Sequence, residues 1–137
     1  MKHLPIVLAA ALVAYTFLPA RAPAPVTVSG EVATALASAS KADRQYVADM
    51  YKALADITQR DGGRLIATTG VWRLIHRDTL AFGVADTQLK GKYPGLDVAI
   101  EATLSEYFPK TDVPMTPELV AKIVQACKAV EVQCRKN

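Results

Sequence analysis

From Leu4 to Leu18 the chain reads L-P-I-V-L-A-A-A-L-V-A-Y-T-F-L, an uncharged run preceded only by Met1, Lys2 and His3. Lipid offers a backbone no hydrogen-bond partners, so a segment of this kind must satisfy its peptide groups internally, as a helix. A charged side chain near the bilayer centre would cost about 2.5–3.5 kcal/mol, and this run carries none. The 18 residues from His3 to Ala20 span about 27 Å as a helix, slightly less than a hydrocarbon core of about 30 Å. The run therefore reads as a signal anchor, with the membrane engaged through residues 4–18.

A secretory leader has the same form, with Lys2 and the amino terminus as its positive region. The small-x-small sites Ala20-Arg21-Ala22 and Ala22-Pro23-Ala24 are each followed by proline, Pro23 and Pro25. Proline fixes φ and lacks the N–H, which makes it a poor residue beyond a cut. Ala35-Leu36-Ala37 has Ser38 next but lies seventeen residues past Leu18. An uncleaved anchor is the preferred reading and a cleaved leader the alternative. Lys2 and the α-amino group face only Arg21 across the run, which favours an amino terminus in the cytoplasm and the rest of the chain outside it.

The boundaries that follow are an anchor or leader over 1–20, a Pro/Ala/Ser-rich tether over 21–40 and a helical domain over 41–137. A remainder of this size makes one domain with a modest core. The formal net charge is +3, but Lys2 and Arg21 supply two of those charges, and a remainder of +1 does not advertise nucleic-acid binding.

Within the domain Ser40 can cap a helix from Lys41 to about Arg60, with Asp43 complementing its positive end. Val47, Met50, Tyr51, Leu54 and Ile57 or Thr58 form its apolar stripe, and Gly62–Gly63 offers a left-handed stop. A continuous helix from about Glu31 is a competing pattern, since Val32, Leu36, Ala39, Asp43, Tyr46, Met50, Ala53 and Ile57 recur at steps of four and three. A second helix runs from Gly70 to about Phe82, with Trp72, Ile75, Thr79 and Phe82 on one face and Val71, Leu74 and Leu80 broadening it. Residues 86–95, with two glycines and a proline, read as a loop.

A third helix carries Leu96, Ile100, Leu104, Tyr107 and Phe108 and stops at Pro109. Thr116-Pro117-Glu118 opens a fourth, which turns Val120, Ile123, Val124, Cys127 and Val130 inward. The fold class expected is all-α: an N-terminal hydrophobic helix plus a small four-helix bundle or irregular helical array.

Cys127 and Cys134 are the two cysteines and the candidate disulfide pair. Seven residues along an unbroken helix separate their Cα atoms by about 10.5 Å, beyond the bridging limit of about 7 Å. An intrachain bond therefore needs the helix to end or bend near Val130 to Gln133; two buried or free thiols, or an intermolecular bridge, are the alternatives.

His76 is the one histidine of the domain, and a surface or interhelical role is the expectation for it. Asp97, Glu101, Glu106 and Asp112 form an acidic segment, but Asp97 and Glu101 oppose the apolar stripe with no histidine beside them, which reads as a solvated face. Trp72 with Arg73 and Arg77 resembles a stacking and phosphate-contacting patch in composition alone, since Trp72 sits on the apolar face. No catalytic, cofactor-binding or metal-ligating residue is assigned, and no cofactor is implied. The function expected is a non-enzymatic, membrane-anchored helical domain presented outside the cytoplasm to an unidentified protein partner. A cleaved periplasmic or secreted binding or inhibitor protein, or an accessory of phage or bacterial envelope lysis, is the alternative.

Overall fold

The computed structural model describes residues 26–136; the expected anchor over Leu4–Leu18 and the first part of the tether lie outside them. Among the described residues six helices follow in order: α1 Gly30–Ala37, α2 Lys41–Asp61, α3 Thr69–Ala85, α4 Leu89–Lys92, α5 Leu96–Ser105 and α6 Pro117–Arg135. Among the described residues there is no strand, only one isolated bridge between Thr68 and Pro114. The domain is all-α.

The two longest helices, α2 and α6, form the main packing pair. They run antiparallel. The start of α2 meets the end of α6 where Arg135 reaches Asp49 at 2.9 Å, and the end of α2 meets the start of α6 at Gly62 and Val120. Local chemistry explains both starts: Ser40 accepts from the Asp43 N–H and Thr116 from the Leu119 N–H, satisfying donors that the first turn leaves unpaired. The facing stripes are Val47, Ala48, Tyr51, Leu54 and Ala55 on α2, and Ile123, Ala126, Cys127, Val130 and Cys134 on α6, all buried.

The expectation for α6 holds, and several others change. Residues 30–37, inside the stretch read as tether, form α1 with Val32 and Leu36 fully buried against the core. These two side chains bring the segment into the domain. The competing continuous helix is broken at residues 38–40, and its seam is not one face, because Tyr46 and Ile57 are exposed while Val32 and Leu36 are buried. The loop over residues 86–95 contains the single turn α4, which buries Leu89.

Gly62 does not adopt the left-handed stop; its φ and ψ are −59° and −34°. What it supplies is closeness, since a β-carbon there would lie 2.9 Å from Val120 Cγ2. The chain turns instead on the Asp61 carbonyl, which accepts from the N–H groups of Arg64, Leu65 and Ile66 at 3.0, 2.8 and 3.1 Å.

The largest correction concerns α3. Its buried face is Thr69, Trp72, His76, Leu80, Gly83 and Val84, whereas Val71, Leu74, Ile75 and Phe82 are exposed. Two causes select this face. Trp72 and His76 each find a hydrogen-bond partner on α2, and Gly83 lets α3 approach so closely that a β-carbon there would collide with the Met50 sulfur. His76, only 2 % exposed, is therefore part of the core, while Phe82 on the same helix stands in solvent at 74 %.

Candidate functional site

Among the described residues, Thr58, Tyr51, Trp72 and His76 form a buried polar cluster. Trp72 Nε1 donates to Thr58 Oγ1 at 2.9 Å, and that hydroxyl donates onward to the Leu54 carbonyl at 2.7 Å. The Tyr51 hydroxyl and His76 Nε2 share a hydrogen bond of 2.8 Å. The His76 ring stacks on Trp72 with centroids 4.7 Å apart, and Phe108 meets the Trp72 ring edge-on at 5.3 Å. Burial lowers the His76 pKa to about 4 and raises that of Tyr51, so both are neutral at pH 7. A base this weak, closed in by aromatic rings, is suited to holding α2 and α3 in register.

Cys127 and Cys134 are free thiols, both buried on the unbroken α6. The bend that a bridge between them needs is not made. Burial pushes each thiol up to about 12, which leaves almost no thiolate for nucleophilic or metal chemistry at neutral pH.

The acidic segment is not one cluster. Asp97 and Glu101 lie on α5, Glu106 follows its last turn, and Asp112 turns away to cap another helix. Asp112 Oδ1 accepts from the Gly70 N–H at 2.6 Å, and that bond holds its carboxyl below the usual range. Together with Thr69 N–H to Val113 O at 2.9 Å and Met115 N–H to Ala67 O at 3.0 Å, it ties the α5–α6 connection to the start of α3. Among the described residues no group of three or more His, Cys, Asp or Glu side chains is arranged to hold a metal ion.

The basic residues between Arg64 and Lys92 are likewise dispersed. The Arg73 guanidinium donates to the Pro109 carbonyl, Arg77 pairs with Asp78 at 3.6 Å, and Lys92 lies 5.8 Å over the Tyr93 ring. A small cavity of about 220 Å³ by the start of α2 is lined by Lys41, Arg44, Gln45, Cys134 and Arg135. Arg135 is engaged by Asp49 and Glu131, whereas Arg44 donates through Nη1 to the Lys136 carbonyl and its buried Nε has no hydrogen-bond partner among the described residues. Other grooves among the described residues are about 520 Å³ between α1 and the α4–α5 turn, about 630 Å³ between the end of α2 and the start of α6, about 470 Å³ between residues 26–28 and the end of α6, and about 380 Å³ between the start of α2 and α4.

The feature that stands apart is apolar. Six of the nine exposed large hydrophobic side chains among the described residues lie on α2 and α3: Tyr46, Ile57, Val71, Leu74, Ile75 and Phe82. Solvent-facing apolar residues are ordinary when scattered, but these follow helical spacing and therefore form stripes. Residues 71, 74, 75 and 82 run down the outer face of α3. Tyr46, Met50 and Ile57 run down one edge of α2, where Met50 abuts Gly83 and the Tyr46 hydroxyl donates to Asp86 at 3.1 Å, so the edge adjoins α3. The exposed apolar side chains are therefore concentrated on these two neighbouring helices rather than scattered over the surface.

Periodicity alone assigns the α3 members of this surface to the core. The signal that could have found the surface is the width of α3's apolar pattern, which extends almost around the helix and exceeds what one neighbour can cover. Among the described residues no helix is long and apolar enough to cross a membrane. Compared with known protein families, curated proteins and solved structures, the chain matches none of them.

Proposed function

We propose that this chain is a non-enzymatic, single-pass membrane protein whose helical domain stands outside the cytoplasm and engages a protein through the α2–α3 face. The uncharged run Leu4–Leu18 motivates the anchor. The observation that carries the interaction is the pair of exposed stripes on α2 and α3. Anchoring and docking reinforce one another, because confinement to a membrane raises the local concentration of the face and allows a modest contact to persist.

The burial of α1 bears on processing. Cleavage after Ala37 would remove Val32 and Leu36 from the core, which argues against that site and leaves only the two followed by proline.

Membrane fractionation with amino-terminal sequencing tests the anchor: the intact amino terminus is expected in the membrane fraction, and a shortened chain in the soluble extract overturns the reading. For the interaction, Leu74→Ser and Phe82→Ser are expected to abolish chemical cross-links formed by the wild-type chain in native membranes without changing its helical content. Undiminished cross-linking in both variants counts against the α2–α3 face.

A further inference from the structure

Resting on the anchor proposed above, we infer that the face made by residues 26–28 and the end of α6 lies on the bilayer, with its lysines against anionic lipid headgroups. The chain leading to α1 is clamped at Thr27. The Thr27 N–H donates to the Tyr107 hydroxyl at 2.9 Å, and that hydroxyl donates back to the Thr27 carbonyl at 3.2 Å. Val26 and Val28 pack against the core on either side of this clamp. The point at which the domain is leashed is therefore fixed on its surface.

Seven residues separate Leu18 from Val26, a reach of at most about 29 Å at full extension. A domain of this size is roughly 34 Å across. A leash shorter than the body it holds keeps the attached side nearest the membrane, so whatever surrounds Val26 meets the headgroups first.

What surrounds it is basic. Residues 26–28 form one wall of a groove of about 470 Å³ whose other wall includes Lys128, Val132 and Lys136. These three recur at steps of four, which sets them along one side of α6 and its end, and all three are exposed. No carboxylate lines the groove, and among the described residues neither lysine is ion-paired. Glu131, the acid of this stretch, is engaged by Arg135 at 2.9 Å instead. An exposed valine between two unpaired ammonium groups on flexible stems fits a headgroup layer, where the apolar side chain points inward and the lysines meet phosphate oxygens.

The same placement presents the opposite side to protein. α6 packs chiefly on α2 and α1, and α3 on α2, α4 and α5, so lipid against α6 leaves Leu74 and Phe82 of α3 clear.

The test uses the full-length chain in nanodiscs of phosphatidylcholine alone, and of phosphatidylcholine and phosphatidylglycerol in equal parts. A fluorophore is attached at Val132→Cys or, on α3, at Asp78→Cys; both positions are exposed and the native thiols are buried. Lipids carrying a nitroxide at the headgroup report proximity by quenching. In the anionic discs the Val132 probe is expected to be quenched at least about threefold more than the Asp78 probe, an excess that mostly disappears in phosphatidylcholine alone or in K128E/K136E. Circular dichroism follows helical content, and the comparison of the two lipids needs neither lysine replaced, so it holds even where the double variant folds poorly.

Equal quenching at the two positions overturns the inference, and so does an excess that neither lipid charge nor the lysine substitutions change. A chain that stays in the disc fraction without the excess loses this orientation and keeps its anchor. A chain recovered outside the disc fraction loses the anchor and this inference with it.

Discussion

Helices α6 and α3 have similar lengths and both carry apolar stripes, yet only in α6 does the obvious stripe become the core. On α6 the polar face is well separated, with Lys122 and Lys128 away from Ile123, Cys127 and Val130, so a single orientation buries the hydrophobes and wets the charges. On α3 apolar residues are found on nearly every side. Two orientations compete, and the one adopted buries Trp72 and His76 at the expense of Leu74 and Phe82. The difference shows that hydrophobicity decides orientation when the pattern is narrow, and that hydrogen-bond partners and close backbone approach decide it when the pattern is wide.

The sharpest way to break this comparison is to empty each core face. Trp72→Ala is expected to cost about 3–5 kcal/mol of unfolding free energy, and Ile123→Ala about 2–5 kcal/mol, measured by urea denaturation. A cost for Trp72→Ala of no more than about 0.5 kcal/mol, the size expected at an exposed position, would mean that α3 does not turn Trp72 inward.

Next in size is a pH effect that α3 should show and α6 should not. His76 is neutral in the folded chain down to about pH 4, whereas the unfolded chain binds a proton below about 6.5. Between these values the unfolded state carries more protons, so stability is full above pH 6.5 and falls as pH drops towards 4. The loss approaches about 3 kcal/mol. A His76→Gln variant, though less stable at pH 7, is expected to show a shallower decline over the same window, and an identical decline would remove histidine as the cause.

Helix starts sharpen the comparison more gently. Thr116→Ala removes the cap of α6 and Thr68→Ala that of α3, each expected to cost about 1 kcal/mol. The α3 start is also held by Asp112, so T68A is expected to be the milder of the two in thermal melts.

The smallest effect is the most telling. Phe82→Ala is expected to change the stability of the monomer by no more than about 0.5 kcal/mol, as for an exposed position, although Phe82 is among the largest apolar side chains on α3. Measured by denaturation in dilute solution, a loss above about 2 kcal/mol would show that Phe82 is packed after all.

Legibility in the sequence varied for physical reasons. The α2 and α6 starts could be read because a capping hydroxyl acts within its own first turn, three residues from its partner. That Asp97 and Glu101 keep off the fully buried face could also be read, although each is half-buried rather than solvated. Asp112 could not, because its partner is the N–H of Gly70, forty-two positions earlier. Nor could the role of α1, whose small and sparse side chains, apart from Val32 and Leu36, give the composition of a tether. The apolar α2–α3 face was legible only as a quantity, an excess of hydrophobes on one helix, and not as a location.

By itself the sequence determined that the chain is helical, where α2 and α6 begin, and that an uncharged apolar run precedes the domain, since all of these depend on residues within a turn or two of each other. Only the tertiary structure decided that His76 is inside and Phe82 outside, that Gly62 and Gly83 serve close approach, and that the two cysteines share one unbroken helix as separate thiols. Those outcomes depend on what another helix offers at a given height: the Tyr51 hydroxyl, the Thr58 hydroxyl or the Met50 sulfur. No local pattern contains that information, because it arises only when distant stretches of chain meet.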